Sequence, residues 1–438
     1  MSDALGPDLI SDLPDGIIET ILIHLPIRDA TRTSILSTRW RNIWCSISHL
    51  VFDEKSFPIS VGNGHGQGRQ LLHERVVKFI SKVLLVHQGP IHKFQITHRS
   101  LLTFLEMDEW ILFLSRNGVK DLTLDFGVYE FFIMPTCLFD CEKLTRLELS
   151  RCELYPPVSF KGFVNLKRLD LNQVLISSKA IERLVSTCPL LECLSLKRCD
   201  CLALTISAPK LKYVHLYGEF KDICLVDMPL LVELFVSMYM PHDDLDLEQS
   251  SNCNFVKFLS GVPNLKRLDG FVHFTKYLSI GNDPRHHAMM YNNLECIQMG
   301  PVSFKDKKEI LVVLRLIRSS PNLKELHISG MSDIQVSTYT EDLDFWEKEY
   351  PSDSILSKLK VVELKEMSGV PCEIEFIKFL LGSSPVLEKM FIIPYIGNRE
   401  YLLQMSAKLM EFRKASTKAE IYFTCPVYPI RVSPGFRD

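Results

Sequence analysis

Cysteine and histidine are the side chains of this sequence best able to bind a metal or act as nucleophiles. The chain of 438 residues contains 13 of each. The cysteines are scattered, and the closest spacings, Cys199 to Cys201 and Cys137 to Cys141, do not form a Cys/His set with zinc spacing. The sequence has no Gly-x-Ser-x-Gly elbow and no His-Glu-x-x-His motif. We therefore expect a protein that is not an enzyme, with no catalytic residues, no metal and no cofactor.

Charge and hydropathy exclude several classes of partner. Lys and Arg number 50 against 53 for Asp and Glu, a net charge of −3, and 46% of residues are hydrophobic. Domains that bind nucleic acid usually carry a basic patch, so we expect no nucleic-acid partner. No run of about 18 apolar residues could span a membrane. The first residues carry Asp3, Asp8 and Asp12 instead of a basic, then apolar, secretory signal. These features predict reduced cysteines and a location in cytoplasm or nucleus.

A repeated pattern, apolar-x-x-apolar-x-apolar, dominates the chain. Its twelve copies begin at Ile91, Val119, Leu144, Leu166, Leu191, Leu211, Leu231, Leu265, Leu294, Leu323, Leu359 and Leu387. The starts lie 20 to 36 residues apart, which is the spacing of leucine-rich repeats with loop insertions. The copy at Leu265 is weak, because Gly270 replaces its last apolar residue.

The spacing within each copy predicts the fold. Alternate apolar residues point to one face of a short strand, and one strand alone cannot bury that face. The copies should therefore stack into an α/β solenoid, curved, with a parallel sheet on its concave face and helices and loops on its convex face. Residues between the leucines should line the concave face and are candidates for binding a target protein. They include Thr123 and the candidate residues Glu148, Asp170, Ser195, His215, Phe235, Gln298, His327 and Glu363. The alternative for any single position is an ordinary solvent-exposed residue.

His215 and His327 occupy the same position in two copies of the repeat. That recurrence could indicate metal binding. The two copies are four repeats apart, however, so their side chains are too distant to share an ion. We expect no metal site from this pair.

The first fifty residues follow a different pattern, with helical spacing. Ile18, Ile21, Leu22 and Leu25 form one helical stripe that ends at Pro26. A second helix is predicted over residues 30–36, and Ser37 is a candidate N-cap for a third helix that buries Trp40. So short a segment cannot bury all of its apolar residues by itself. The surplus could either dock on the repeats or bind a partner.

Residues 13–44 resemble an F-box. The resemblance lies in the opening Leu13-Pro14, the Leu25-Pro26 exit and the ending Leu-Ser-x-Arg-Trp-Arg-x-x-Trp over residues 36–44. With the repeats behind it, the chain resembles the plant F-box/FBD/leucine-rich-repeat family. The resemblance implies a subunit of an SCF-type ubiquitin-protein ligase that binds a Skp-family adaptor and, through it, a cullin, and presents an unknown target protein. By resemblance, the adaptor contacts would be Leu13, Pro14, Ile17, Ile21, Leu25 and Pro26. An interaction scaffold that does not ubiquitinate its target is the alternative.

Residues 359–390 and 412–423 resemble the FBD region of the same family, which would cap the last repeat. The expected organisation is an F-box over 1–51, a linker and N-terminal cap over 52–90, repeats over 91–351, the FBD region over 352–425 and a tail over 426–438. Two acidic stretches, 242–248 and 341–349, interrupt the repeats. They are either solvated loops or partner contacts, with Phe345 and Trp346 as candidate anchors.

Overall fold

A computed structural model of the chain describes residues 13–57, 67–98, 106–126, 131–199, 203–220, 222–239, 255–279, 290–331, 356–395, 405–409 and 411–423. The chain forms two compact units. The first unit comprises residues 1–211 and 217–219, and the second comprises residues 212–216 and 220–438. Among the described residues, no helix is both long enough and apolar enough to cross a membrane.

The first unit begins with a small helical segment. Its α-helices are α1 (Asp15–Ile23), α2 (Ile27–Arg32) and α3 (Trp40–Ile43), with 3-10 turns at Thr33–Ile35 and Trp44–Ser46. Pro14 and Pro26 directly precede α1 and α2, where the missing proline N–H costs no helical hydrogen bond. The predicted start of the second helix at residue 30 is therefore wrong. The helix begins at Ile27 and tightens into the 3-10 turn before Leu36.

The rest of the first unit is a parallel sheet with helices between its strands. The elements are β1 (His49–Asp53), α4 (Gln67–Val86), β2 (Lys93–His98), α5 (Met107–Arg116), β3 (Asp121–Phe126), β4 (Phe132–Ile133), β5 (Arg146–Ser150), β6 (Cys152–Glu153), β7 (Arg168–Asn172), α6 (Ser178–Ser186), β8 (Cys193–Lys197) and β9 (Ala203–Ser207). The main sheet runs in the order β1-β2-β3-β5-β7-β8 with every neighbouring pair parallel. The domain boundary expected between residues 51 and 52 falls inside β1.

The second unit repeats the same arrangement. Its elements are β10 (Tyr213–Glu219, partly in the first unit), β11 (Asp222–Val226), β12 (Glu233–Tyr239), α7 (Phe255–Ser260), β13 (Arg267–Val272), α8 (Phe274–Ser279), β14 (Cys296–Val302), α9 (Lys307–Arg318), β15 (Glu325–Gly330), β16 (Val361–Met367), α10 (Pro371–Ser383), β17 (Lys389–Pro394) and β18 (Glu420–Phe423). Strands β12 to β18 pair in chain order, and each pair is parallel.

The repeat pattern places one strand in each of its twelve copies. Burial alternates along these strands as the pattern predicts: Leu147 and Leu149 of β5 are fully buried, while Glu148 between them is half-buried. The same alternation recurs in β7 and β15. The prediction of an α/β fold built on a long parallel sheet is confirmed.

Gly270 shows how the weak copy keeps a packed core. A Cβ atom at Gly270 would lie 2.2 Å from Cδ1 of Phe274 and 2.6 Å from Sδ of Met299. Phe274, the first residue of α8, is fully buried. Its ring thus occupies the volume that a leucine side chain fills in the regular copies.

Candidate protein-interaction surfaces

Helix α1 carries apolar side chains on two sides. Ile18 and Leu22 are fully buried in the helical segment, as one face of an amphipathic helix should be. Ile17 is 48% exposed, Ile21 is 39% exposed, and Leu25, just beyond the helix, is 38% exposed. Their exposure leaves an apolar surface that the described part of the chain does not cover.

The chain on the N-terminal side of α1 is tied to the end of the helical segment by Arg39. One guanidinium nitrogen, Nη2, donates to the carbonyl oxygen of Leu13 at 2.5 Å and to Oδ1 of Asp15 at 2.7 Å. Leu13 is half-buried and Pro14 is exposed, and Pro26 at the other end of α1 is half-buried. The arginine thus fixes the backbone that presents the Leu-Pro pair.

Ser37 and Trp40, in the motif over residues 36–44, have structural roles. The Ser37 hydroxyl accepts a hydrogen bond from the backbone N–H of Trp40 at 3.4 Å. The N-cap position of α3 is occupied by Arg39, however, so the prediction of Ser37 as N-cap is wrong. The Trp40 side chain is buried in the core of the segment. Serine, arginine and tryptophan of the motif therefore build and brace the helices that hold the exposed apolar residues in place.

Two exposed apolar residues were not anticipated from the sequence. Ile35 is 83% exposed and Leu36 is 64% exposed, both at the end of the 3-10 turn that follows α2. The sequence carries no signal for this exposure, because adjacent apolar residues often share the buried face of a helix. They add to the uncovered apolar surface of this segment.

In the first unit, strand register aligns the residues between the leucines into one row, here called the first row. It consists of Gln95, Thr123, Glu148, Asp170 and Ser195. Thr123 and Ser195 are buried and offer a partner little surface.

Two of the five residues of the first row, Glu148 and Asp170, are acidic. Glu148 lies opposite Asp170 and accepts a hydrogen bond from Nη2 of Arg146 at 3.0 Å. Burial raises the pKa of the Asp170 carboxyl, and the charge of Glu148 raises it further. Burial likewise raises the pKa of Asp121, on the other side of Arg146. Basic groups also lie near these carboxyls: Arg146 and Lys93 near Asp121, and Arg168 and Lys197 near Asp170.

The second unit has an equivalent row, here called the second row. Register aligns Phe235, Asp269, Gln298, His327, Glu363, Phe391 and Tyr422. At its start the rings of His215 and Phe235 lie 4.1 Å apart, and Phe235 lies 5.1 Å from Phe271. At its far end Phe391 stacks on Tyr422 at 4.9 Å. The second row therefore has aromatic groups at both ends.

Charged and polar pairs fill the middle of the second row. Arg267 donates from Nε to Oδ2 of Asp269 at 2.9 Å and from Nη2 to Oε1 of Gln298 at 3.1 Å. His327 Nδ1 lies 2.9 Å from Oε2 of Glu363. The hydrogen bond from His327 and a further one from Lys365 outweigh the effect of burial. Together they lower the pKa of Glu363 to about 2.

Asp269 is a row residue that the sequence pattern does not reveal. It lies in the weak copy, where Gly270 breaks the apolar pattern, so only the strand register reveals its position. Phe391 and Tyr422 were missed as well, although Phe391 sits between two apolar residues of the last regular copy. Phe345, Trp346 and both acidic stretches lie outside the described residues.

Comparison with known proteins identifies these parts of the chain. The F-box domain profile matches residues 10–51, and the FBD profile matches residues 347–392. A profile described as "FBD-associated F-box protein At5g56370, LRR repeats" matches residues 107–328, half of the chain. F-box/FBD/LRR-repeat protein At1g13570 of Arabidopsis thaliana is 48% identical over 418 residues, covering 95% of this chain and 99% of the relative. The chain belongs to the F-box/FBD/LRR-repeat family.

More distant similarities extend over most of this F-box/FBD/LRR-repeat protein. Putative F-box/FBD/LRR-repeat protein At5g44950 of Arabidopsis thaliana is 26% identical. The alignment covers 92% of this chain and 96% of the relative. Among solved structures, the Leptospira interrogans LRR protein LIC12759 covers 88% of this chain and 92% of its own, at 14% identity and a TM-score of 0.32. The domain content is that of a substrate-recognition F-box protein, and an F-box in general binds a Skp-family adaptor.

Proposed function

We propose that this protein is the substrate-recognition subunit of an SCF-type ubiquitin-protein ligase. Its F-box docks on a Skp-family adaptor held by a cullin, and its leucine-rich repeats hold a target protein. The observation that carries the proposal is the exposure of Ile17 and Ile21 on the same helix whose other face buries Ile18 and Leu22.

Adaptor binding would use the apolar surface of the F-box. Covering a fully exposed isoleucine or leucine side chain is worth roughly 1.5–3 kcal/mol. The uncovered parts of Ile17, Ile21 and Leu25 would therefore contribute about 1 kcal/mol each. Leu13, Pro14 and Pro26 would complete the contact. Arg39 already orders the backbone at Leu13, so less conformational entropy is lost on binding.

The chain would act by proximity. It contributes no bond-making residue to ubiquitin transfer; it tethers the target and so raises the effective concentration of target lysines near the charged conjugating enzyme. Ubiquitination of the target is lost if either the F-box loses the adaptor or the repeats lose the target. Because the two contacts lie on different surfaces, mutations can remove them one at a time.

Target binding would use the two rows of sheet residues. In the first row, Glu148 and Asp170 suit a basic segment of a partner, because opposite charges steer association. In the second row, the aromatic ends suit apolar anchors, with the polar middle fixing orientation. The proposed target contacts are Glu148, Asp170, His215, Phe235, Gln298, His327 and Glu363, joined by Asp269, whereas Ser195 is buried and is no longer proposed as a contact. Phe345 and Trp346 remain proposed anchors on the basis of residue type.

Affinity capture from plant extract tests the proposal. The full chain should retain adaptor, cullin and target, whereas Leu13→Ala with Pro14→Ala should lose adaptor and cullin and keep the target. Glu148→Lys with Asp170→Lys is the matched reverse case: it should keep the adaptor and lose targets bound through the first row. The captured target should then be ubiquitinated in the reconstituted complex. Undiminished adaptor capture by the Leu13/Pro14 variant would contradict the proposal, and a target that is bound but never modified would support a scaffold instead.

A further inference from the structure

Three potential metal ligands meet beside the second row. Cys296 and Glu325 are the first residues of β14 and β15 and lie directly opposite each other in register. His327 follows Glu325 by two residues on β15 and so lies on the same face of the sheet. Within the described residues, these three form the single group of three or more His, Cys, Asp or Glu side chains whose ligand atoms all lie within 4.8 Å of one another.

From this arrangement we infer that Cys296, Glu325 and His327 bind a zinc ion. Oε2 of Glu325 lies 3.5 Å from Nε2 of His327 and 3.9 Å from Sγ of Cys296. With Zn–S near 2.3 Å and Zn–N or Zn–O near 2.0–2.1 Å, ligand atoms around a tetrahedral zinc lie about 3.3–3.5 Å apart. The observed separations need to contract by only a few tenths of an ångström at the Glu325 contacts.

The kinds of ligand favour zinc over other divalent ions. A thiolate and an imidazole are poor ligands for Mg²⁺ and Ca²⁺, which prefer oxygen, and good ligands for zinc. The negative charges of a Cys296 thiolate and the Glu325 carboxylate would together balance the charge of Zn²⁺. Three protein ligands leave one position open to water or to a group from a bound protein.

The surroundings of His327 have the form of a supported metal ligand. Its other nitrogen, Nδ1, lies 2.9 Å from Oε2 of Glu363, so Nδ1 can donate to the carboxylate while Nε2 faces Cys296 and Glu325. Metal-binding histidines usually have such a carboxylate or carbonyl partner, which orients the ring. Glu363 is in turn held by Nζ of Lys365 at 2.9 Å. Cys296 is buried, His327 is half-buried and Glu325 is exposed, so the site is open to solvent on the Glu325 side.

Zinc titration of the full-length protein tests the inference, after removal of metal with a chelator and in competition with a chromophoric chelator. We expect one zinc per chain. Cys296→Ser or His327→Gln should weaken binding at least 100-fold, and Glu363→Gln should weaken it 10- to 100-fold. Cys193→Ser and His215→Gln are matched controls, because Cys193 is the first residue of β8 and His215 occupies the His327 position of β10. Neither control should change the affinity.

Cobalt(II) provides a second readout that does not depend on the variants folding. Co²⁺ bound to the wild-type protein should give a thiolate-to-cobalt charge-transfer band, and excess Zn²⁺ should abolish it. Absence of that band, or absence of stoichiometric zinc binding by the wild type, would overturn the inference. Zinc affinity that is equal in the wild type, Cys296→Ser and His327→Gln would overturn it too. Metal binding is measured without adaptor or target, so its failure would leave the proposed ligase role unaffected.

Discussion

Ile17 and Ile18 are neighbours in α1, yet Ile18 is completely buried while almost half of the Ile17 surface is exposed. Successive helical residues point about 100° apart, so one belongs to the core of the helical segment and the other to its surface. Ile18 therefore helps the helical segment to fold, and Ile17 presents an apolar side chain at its surface.

The same pair gives a prediction about stability. Ile18→Ala should destabilise the F-box by about 2–5 kcal/mol, because it leaves a cavity in a packed core. Ile17→Ala should change stability by less than about 0.5 kcal/mol. Hydrogen exchange of the α1 amides in the full-length protein measures both. Equal loss of protection in the two variants would show that Ile17 is part of the core.

Gly270 should not tolerate a side chain. Because a Cβ there meets Phe274 and Met299 well inside contact distance, Gly270→Ala should cost about 1–3 kcal/mol through overpacking. Gly382, in α10, is the matched control, since a Cβ there meets nothing within 4 Å. Gly382→Ala should stabilise the protein by about 0.5–1 kcal/mol. Thermal unfolding compares the two, and a neutral Gly270→Ala would contradict the described packing.

Glu373 should make stability depend on pH. Its Oε2 accepts the Gly369 N–H at 2.6 Å and its Oε1 accepts the Ser368 hydroxyl at 3.1 Å, but burial dominates and raises its pKa from 4.5 to about 7. Between these two values the folded state holds a proton that the unfolded state releases, so stability falls as pH rises. The free energy of unfolding falls by roughly 3 kcal/mol in total by pH 7 and stays constant well above pH 7.

Replacement of this carboxyl group isolates its contribution. Glu373→Gln cannot ionise, so the free energy of unfolding of the variant relative to wild type should rise from pH 4.5 to pH 7 and then level off. Denaturant unfolding across this range measures the difference. Glu411→Gln, at an exposed glutamate, should show no such rise. A pH-independent difference for Glu373→Gln would mean that the carboxyl ionises in the fold as easily as in the unfolded chain.

The repeat strands could be predicted from the sequence because their signal is local. Two leucines separated by one residue bury the same face in every copy, as Leu147 and Leu149 do. The sequence does not predict helix α4, of 20 residues, which lies in the expected linker and N-terminal cap. The repeat pattern does not extend into this helix, although Val76, Ile80 and Val83 have helical spacing and are buried.

The candidate surfaces were only partly predictable, because they depend on contacts between distant parts of the chain. The F-box resemblance singles out Ile17 and Ile21, whereas helical spacing alone wrongly places Ile21 on the buried stripe. The role of Arg39 could not, because its bond to the Leu13 carbonyl depends on how α1 and α3 pack. Similarly, Cys296 and His327 lie in different repeat copies, and only the register of β14 and β15 brings them together.

The affinity of the full-length protein for a Skp-family adaptor, measured by isothermal titration calorimetry, tests the central claim most directly. Ile17→Asp with Ile21→Asp removes two apolar contacts and would bury charge at the interface, so the Kd should rise at least 100-fold, about 3 kcal/mol. Val158→Asp, at a 93% exposed valine in the repeats, is the control and should leave the Kd unchanged. An unchanged Kd for a folded Ile17/Ile21 variant would contradict the account.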